Sequence, residues 1–264
     1  MNRAKLILPA LLSFLLIQSC KKELHTQPEG KDVKSISLRA DNDLPLYEFT
    51  YDDNSRLLSI THGAADTEVF SYDDEGRLIK SITGNDSTSY KYDNYTGGNI
   101  SEVKKTFNYK SADLKRTNTY QYSYNNKGLV IFCYYIEQAP LGYLKTNYYY
   151  RYDKEGNLTS IITQDDNTYS TGYYQTLNVI NYNDKFDVNP WVFDKGIFYY
   201  HLFSPAVIAK LKQIPKLIKI TDNRSDDLGN YTFDITLKNN KVSKTQSNLH
   251  TRDFNDTNTF YYNY

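Results

Sequence analysis

Along most of the chain, apolar and polar positions alternate with a period of two, and a short acidic stretch interrupts the alternation at intervals. One unit recurs: aromatic-x-Tyr-[Asp/Asn]-x-x-(Gly)-x-[Leu/Val]. It is clearest in Phe70-Ser71-Tyr72-Asp73-Asp74-Glu75-Gly76-Arg77-Leu78 and in Tyr150-Arg151-Tyr152-Asp153-Lys154-Glu155-Gly156-Asn157-Leu158. Other copies centre on Tyr51, Tyr92, Tyr124 and, more weakly, Tyr182. A period of two places alternate side chains on opposite faces of a strand. In Asp-x-x-Gly the acid caps a tight turn and glycine takes the left-handed position after it. The unit therefore predicts a hairpin. Its tyrosines define an aromatic face, and Thr50, Ser71, Lys91, Ser123, Arg151 and Asn181 define a wet one, as antiparallel sheets permit. A slip of one residue would turn every tyrosine to the wrong side, so the ladder fixes its own register.

After Asn189-Pro190 the rhythm stops. Ser204-Pro205 opens a segment with Val207, Ile208 and Leu211 at helical spacing, predicting one short helix near 205–213 that docks on the aromatic face. Strands resume at 217–220, 231–237, 242–244 and 260–264. The expected fold class is all-β: an antiparallel β-meander of repeated hairpins forming one curved sheet or half-barrel, with that single helix.

The N-terminus is of another kind. Arg3 and Lys5 precede Leu6–Ile17, an apolar run too short to span a bilayer, which needs ~20 residues; it reads as a signal-peptide core. Ile17-Gln18-Ser19-Cys20 then resembles a bacterial lipobox, which implies cleavage before Cys20 and a lipid on its thiol. The predicted organisation is a signal peptide over 1–19, a flexible tether over 20–33 and a β-sheet domain over 34–264. The charges balance at 31 basic and 31 acidic residues. Losing Arg3 and Lys5 leaves 29 against 31, a net charge of −2. Nucleic-acid binding needs clustered positive charge, and no run here supplies it. The 27 tyrosines favour strands over disorder.

The search for chemistry returns little. His25, His62, His201 and His250 have no metal-ligand spacing; the last three read as surface or edge residues. Cys133, in an apolar run, reads as a buried structural thiol. The acidic clusters at 52–53, 73–75, 165–166 and 226–227 read as solvated turns, because calcium loops need alternating oxygens closing on a distant Glu. No catalytic motif, metal set or cofactor fingerprint appears. The candidates for ligand contact are Trp191, Tyr199, Tyr200 and Phe203, aromatics outside the ladder that are able to stack on sugar rings or clamp a peptide. Core packing of an irregular lid is the alternative.

The repeat resembles the YD repeat of RHS-type proteins, whose strands wind into a β-shell. It resembles more closely Bacteroidetes lipoproteins of unknown function built on degenerate copies. The lipobox and Tyr182-Asn183-Asp184-Lys185-Phe186-Asp187-Val188-Asn189-Pro190-Trp191 carry that second likeness. The resemblance implies a cell-envelope location at the outer membrane, with the side left open. The expected function is a membrane-anchored, non-catalytic binding or interaction module on a tyrosine-rich sheet, its partner a glycan or envelope protein. A polysaccharide-active hydrolase and a ligand-free scaffold stand as rivals.

Overall fold

The computed structural model describes residues 32–41, 44–64, 66–93, 98–108, 115–166, 174–183, 192, 203, 205–224, 226–252 and 254–264. Sixteen antiparallel strands run from β1 (Ser35–Ser37) to β16 (Asn255–Asn263), each paired with its neighbours in sequence. The last pairs with the first: Ser35, Ile36 and Ser37 lie opposite Asn263, Tyr262 and Tyr261. The expected open sheet or half-barrel is therefore corrected to a closed barrel. β1 makes the difference, since three residues are too few to show alternation, yet they supply the missing edge partner for both β16 and β2 (Tyr47–Tyr51).

The repeat forms as predicted locally. Tyr51, Tyr72, Tyr92, Tyr124 and Tyr152 pair with Leu57, Leu78, Ile100, Val130 and Leu158 across their turns. Each pair abuts a register shift, so the residue after the Leu position is extra, as in a β-bulge. The bulge pushes Leu58, Ile79 and Ile131 outward, and all three are exposed. Thr50, Ser71, Lys91, Ser123, Arg151 and Asn181 all face solvent, while the repeat tyrosines pack partly buried against the core. These tyrosines do not stack on one another. Each donates its hydroxyl to a carbonyl one unit back: Tyr72 to Leu57, Tyr92 to Leu78, Tyr124 to Ile100, Tyr152 to Val130 and Tyr182 to Leu158, at 2.6–2.8 Å. Tyr51 has no earlier unit and donates to Val33 instead, so the residues before β1 stand in for one.

A barrel of this strand number encloses a lumen wide enough for an aqueous channel when nothing fills it. Here the inward face is apolar and two clusters fill it. The larger joins Tyr120, Cys133, Tyr148, Ile161, Ile218 and Phe233, among others. The smaller joins Ile36, Phe49, Ile60, Phe70, Val242 and Tyr262. Part of the filling comes from the 32 residues between β12 (Tyr174–Tyr182) and β13 (Pro215–Asp222), where two would make a hairpin. Val192 is buried in the smaller cluster; Phe203, Ala206, Val207 and Ile208 are buried in the larger. The helix α1 spans only Pro205–Ile208, a single turn rather than the expected 205–213. Turn-type bonds from Lys210 to Val207 and from Leu211 to Ile208 end it. Pro215, two residues beyond the expected helix, begins a strand and pairs with Tyr182.

Candidate functional site

The two ends of the barrel differ. The turn end carries the Tyr-Asp turns. Asp52, Asp73 and Asp153 serve there as local acceptors, not as a cation site. Asp73 Oδ1 takes the Arg77 N–H at 2.8 Å and Asp73 Oδ2 takes Arg77 Nε at 2.7 Å. Burial pushes this carboxyl up, but the Arg77 amide and guanidinium outweigh it and hold it below the usual carboxylate range. The Arg77 guanidinium also lies over the Tyr92 ring of the next unit, 5.0 Å from its centre, and Arg56 lies likewise over Tyr72 at 4.9 Å. The side chain of Lys212 donates to the Glu155 carbonyl and so fastens the returning connection to the fifth turn.

The loop end is the candidate site. There the inward face turns polar. Pairing sets Lys105, Asn118 and Glu137 in one inward row, and Val103, Tyr120, Tyr135, Thr146 and Asp165 in the next. Arg116 Nη2 meets Glu137 Oε2 at 2.7 Å, and the Tyr135 hydroxyl donates to the same oxygen at 2.7 Å. Arg116 Nε donates to Asn118 Oδ1 at 3.2 Å. Tyr120 and Tyr135 pack ring to ring, centres 4.9 Å apart. Burial first, then the Glu137 carboxylate, drives the Tyr135 phenol well above its ordinary range. It is a donor, not a base. These contacts bind Arg116, Asn118, Tyr135 and Glu137 to one another, an arrangement that holds these side chains in place.

Around this mouth exposed apolar side chains stand among polar and charged ones, such as Asp41, Asp66 and Asp226. Of the large apolar side chains that are exposed, half lie on loop-end tips: Leu38, Leu44, Leu141, Tyr143, Leu144, Tyr174 and Phe254. Leu141 is 102% exposed and Leu44 88%, so neither takes part in the barrel's packing. The barrel wall between the ends is mainly hydrophilic. Its outward pairs include Thr50 with Ser59 at 2.7 Å and Lys91 with Glu102 at 2.7 Å. Outward Phe132 and Tyr149, 5.2 Å apart, and the paired, exposed Val69 and Ile82 are apolar exceptions, as are Leu58, Ile79, Ile131 and Ile180 nearer the turn end.

Of the aromatics singled out by sequence, Trp191, Tyr199 and Tyr200 lie outside the described residues, as does Cys20. Phe203 is buried among core residues, so it offers no stacking surface. The expected binding surface, the tyrosine face, is the inside of the barrel and is packed. Cys133 is 1% exposed and burial drives its thiol up, consistent with a structural role. His62 and His250 are exposed; His201 falls outside the described residues. Among the described residues no group of three His, Cys, Asp or Glu is placed to hold a metal ion. The loop-end tips escaped sequence reading because single leucines in short loops carry no periodicity.

No family model matches the chain, and no curated protein matches it. Solved structures do. A porin-like protein from Bacteroides vulgatus is similar over 88% of this chain and 98% of that one, with a TM-score of 0.62 and 13% identity. A porin-like protein from Bacteroides uniformis is similar over 87% and 96%, with a TM-score of 0.52 and 15% identity. The Photorhabdus luminescens Tc holotoxin pore aligns over 82% of this chain and 12% of that one at a TM-score of 0.35, too low to bear on the fold. The likeness to the first two is one of fold. It corrects the resemblance to YD-repeat, RHS-type lipoproteins: a ring that closes on itself through β1 and β16 is matched by porin-like barrels, not by a strip of repeats wound into a shell.

Proposed function

We propose that this chain is a non-catalytic interaction module of the cell envelope, held at a membrane through a lipid on Cys20 and making its contacts through the loop end of a filled barrel. The supporting observation is the direction of polarity. A barrel that crosses a bilayer carries an apolar band about 25 Å tall outside and a polar lumen. In this barrel Phe49, Ile60, Tyr148, Ile161 and Phe233 fill the inside, while Thr50, Ser71, Lys91 and Arg151 face outward. Such a wall belongs in water, so a separate device must supply attachment. One acyl chain alone binds marginally, and the several chains of a lipidated N-terminal Cys bind firmly.

The test is metabolic labelling of the full chain with radioactive palmitate, followed by carbonate washing of the membranes. Wild-type protein should take up label and stay with membranes. Cys20→Ala should take up none and leave a folded barrel in the soluble fraction. A Cys20→Ala protein that resisted carbonate extraction would mean that the strands themselves cross the bilayer. The contact partner on this reading is a glycan, an envelope protein or the membrane surface, met at the rim rather than on the buried tyrosines.

A further inference from the structure

We infer that the loop-end rim is a membrane-surface dock: its apolar tips enter the interfacial layer of a lipid bilayer while the barrel stands in water above it. This rests on reading the loop end as the contact surface. Three features point to a bilayer rather than to a compact partner. First, the tips stand on opposite sides of the mouth. Leu38 and Leu44 flank the β1–β2 loop, and Leu141 and Tyr143 sit on the hairpin between β9 (Val130–Ala139) and β10 (Gly142–Tyr152), halfway round the ring. Tyr174 opens β12 and Phe254 immediately precedes β16, both at the same end. Sixteen strands about 4.8 Å apart put opposite tips on the order of 20–30 Å from each other. That is too far for one small ligand and well suited to a plane.

Second, the composition is interfacial. Exposed leucine and phenylalanine with tyrosine and flanking cations is the pattern of surface-seated membrane segments. Arg39 follows Leu38, Arg252 precedes Phe254 by two residues, and Lys145 lies with its Nζ 4.9 Å from the Tyr143 ring centre. Long cationic side chains beside buried apolar tips reach back to headgroups. Anionic headgroups complement these three cations, although the same end also carries Asp41, Asp66, Asp166 and Asp226. Third, the other end differs: its turns at 52–54, 73–75 and 153–155 bear no exposed large apolar side chain, and the exposed Leu58, Ile79 and Ile131 nearby lie on the strands that follow turns. The anchor permits this orientation. Cys20 precedes Val33 by thirteen residues, up to about 45 Å of extended chain, which exceeds the ~30 Å of a nine-residue strand.

The experiment uses residues 21–264, which hold every described residue and both core clusters but not Cys20. Leu44→Cys, Leu141→Cys and, at the turn end, Asn126→Cys each carry an environment-sensitive fluorophore. The proteins are mixed with phosphatidylcholine vesicles with and without phosphatidylglycerol. The probes at 44 and 141 should shift to the blue and be quenched by lipid-borne quenchers, more strongly with phosphatidylglycerol, and the probe at 126 should not. Combined Leu44→Ser and Leu141→Ser should lower vesicle co-sedimentation at least about tenfold without changing the circular dichroism. Probes at 44 and 141 that stay in water overturn the dock. So does a blue shift that depends on protein concentration without vesicles, which would make the occupant a second copy of the chain. Palmitate labelling at Cys20 is read separately in the full chain, so loss of the anchor and loss of the dock are distinct results.

Discussion

A single hydroxyl links each repeat to the one before it. The repeat tyrosines are half-buried, their rings cover the core, and each O–H meets a strand carbonyl, as a buried phenol must. Tyr92→Phe keeps the ring and removes the bond to Leu78. It should cost about 0.5–1.5 kcal/mol in denaturant unfolding, and Tyr124→Phe should cost a similar amount at Ile100. The same burial has a consequence for pH. Desolvation raises the Tyr72 phenol from 10.0 to about 12, and desolvation pushes Tyr92, Tyr124 and Tyr152 up as well. The folded chain then keeps protons that the unfolded chain releases, so stability falls as pH rises. Below pH 10 these groups contribute no pH dependence. Between pH 10 and about 12 the unfolding midpoint should drop steeply, and it should drop less in Tyr→Phe variants. A flat denaturation profile across that window would contradict the buried-phenol ladder.

The hairpin unit is the part of this protein that its sequence displays openly, because turn chemistry and a period of two are local properties. Asp73 and Gly76 can be assigned roles from their spacing alone, and the outward set from Thr50 to Asn181 follows from parity. The bulge at each turn is less visible. It inserts one residue after the Leu position, and only pairing partners reveal that Leu58, Ile79 and Ile131 are the extras. The first copy tests the glycine rule. Ser55 occupies the position of Gly76 and takes a φ of 58°, against 77° for the glycine. A left-handed conformation costs an L-residue on the order of 1 kcal/mol, so Ser55→Gly should stabilise the barrel by about that amount and Gly76→Ala should destabilise it comparably, both read from thermal or urea unfolding. Gly229, in β14 (Asp227–Lys238), is stricter. Its φ is 134°, and a methyl there would overlap the His250 carbonyl and the Thr251 backbone. Gly229→Ala should therefore loosen β14 from β15 (Lys241–Thr251), seen as faster amide exchange on both strands.

Closure and filling belong to the whole molecule, and both depend on residues that lie far apart in sequence. Nothing near Ser35–Ser37 distinguishes these three residues from a loop; they become a strand because β16 and β2 each lack a partner on that side. The filling is hidden for a similar reason. Residues after Asn183 lose the alternation, which marks departure from the sheet but not that Val192, Phe203 and Val207 turn inward. The two facts are coupled: a closed ring leaves no edge for aggregation, and its lumen must hold apolar groups if its inward face is to be apolar. The seam is then the weak point of the ring. Ile36 is fully buried between β16 and β2. Ile36→Pro removes a ladder donor and places a fixed ring in a strand paired on both sides, which sheets tolerate poorly. It should open the seam, leaving β2 and β16 as two unpaired edges, and the protein should associate through them, detected as higher mass in light scattering with the strand signal in circular dichroism largely retained. Ile36→Val keeps the strand and removes one methylene, so it should cost only about 0.5–1.5 kcal/mol and remain monomeric. If both variants behaved alike, β1 would be ornament and the ring would be held by something other than its shortest strand.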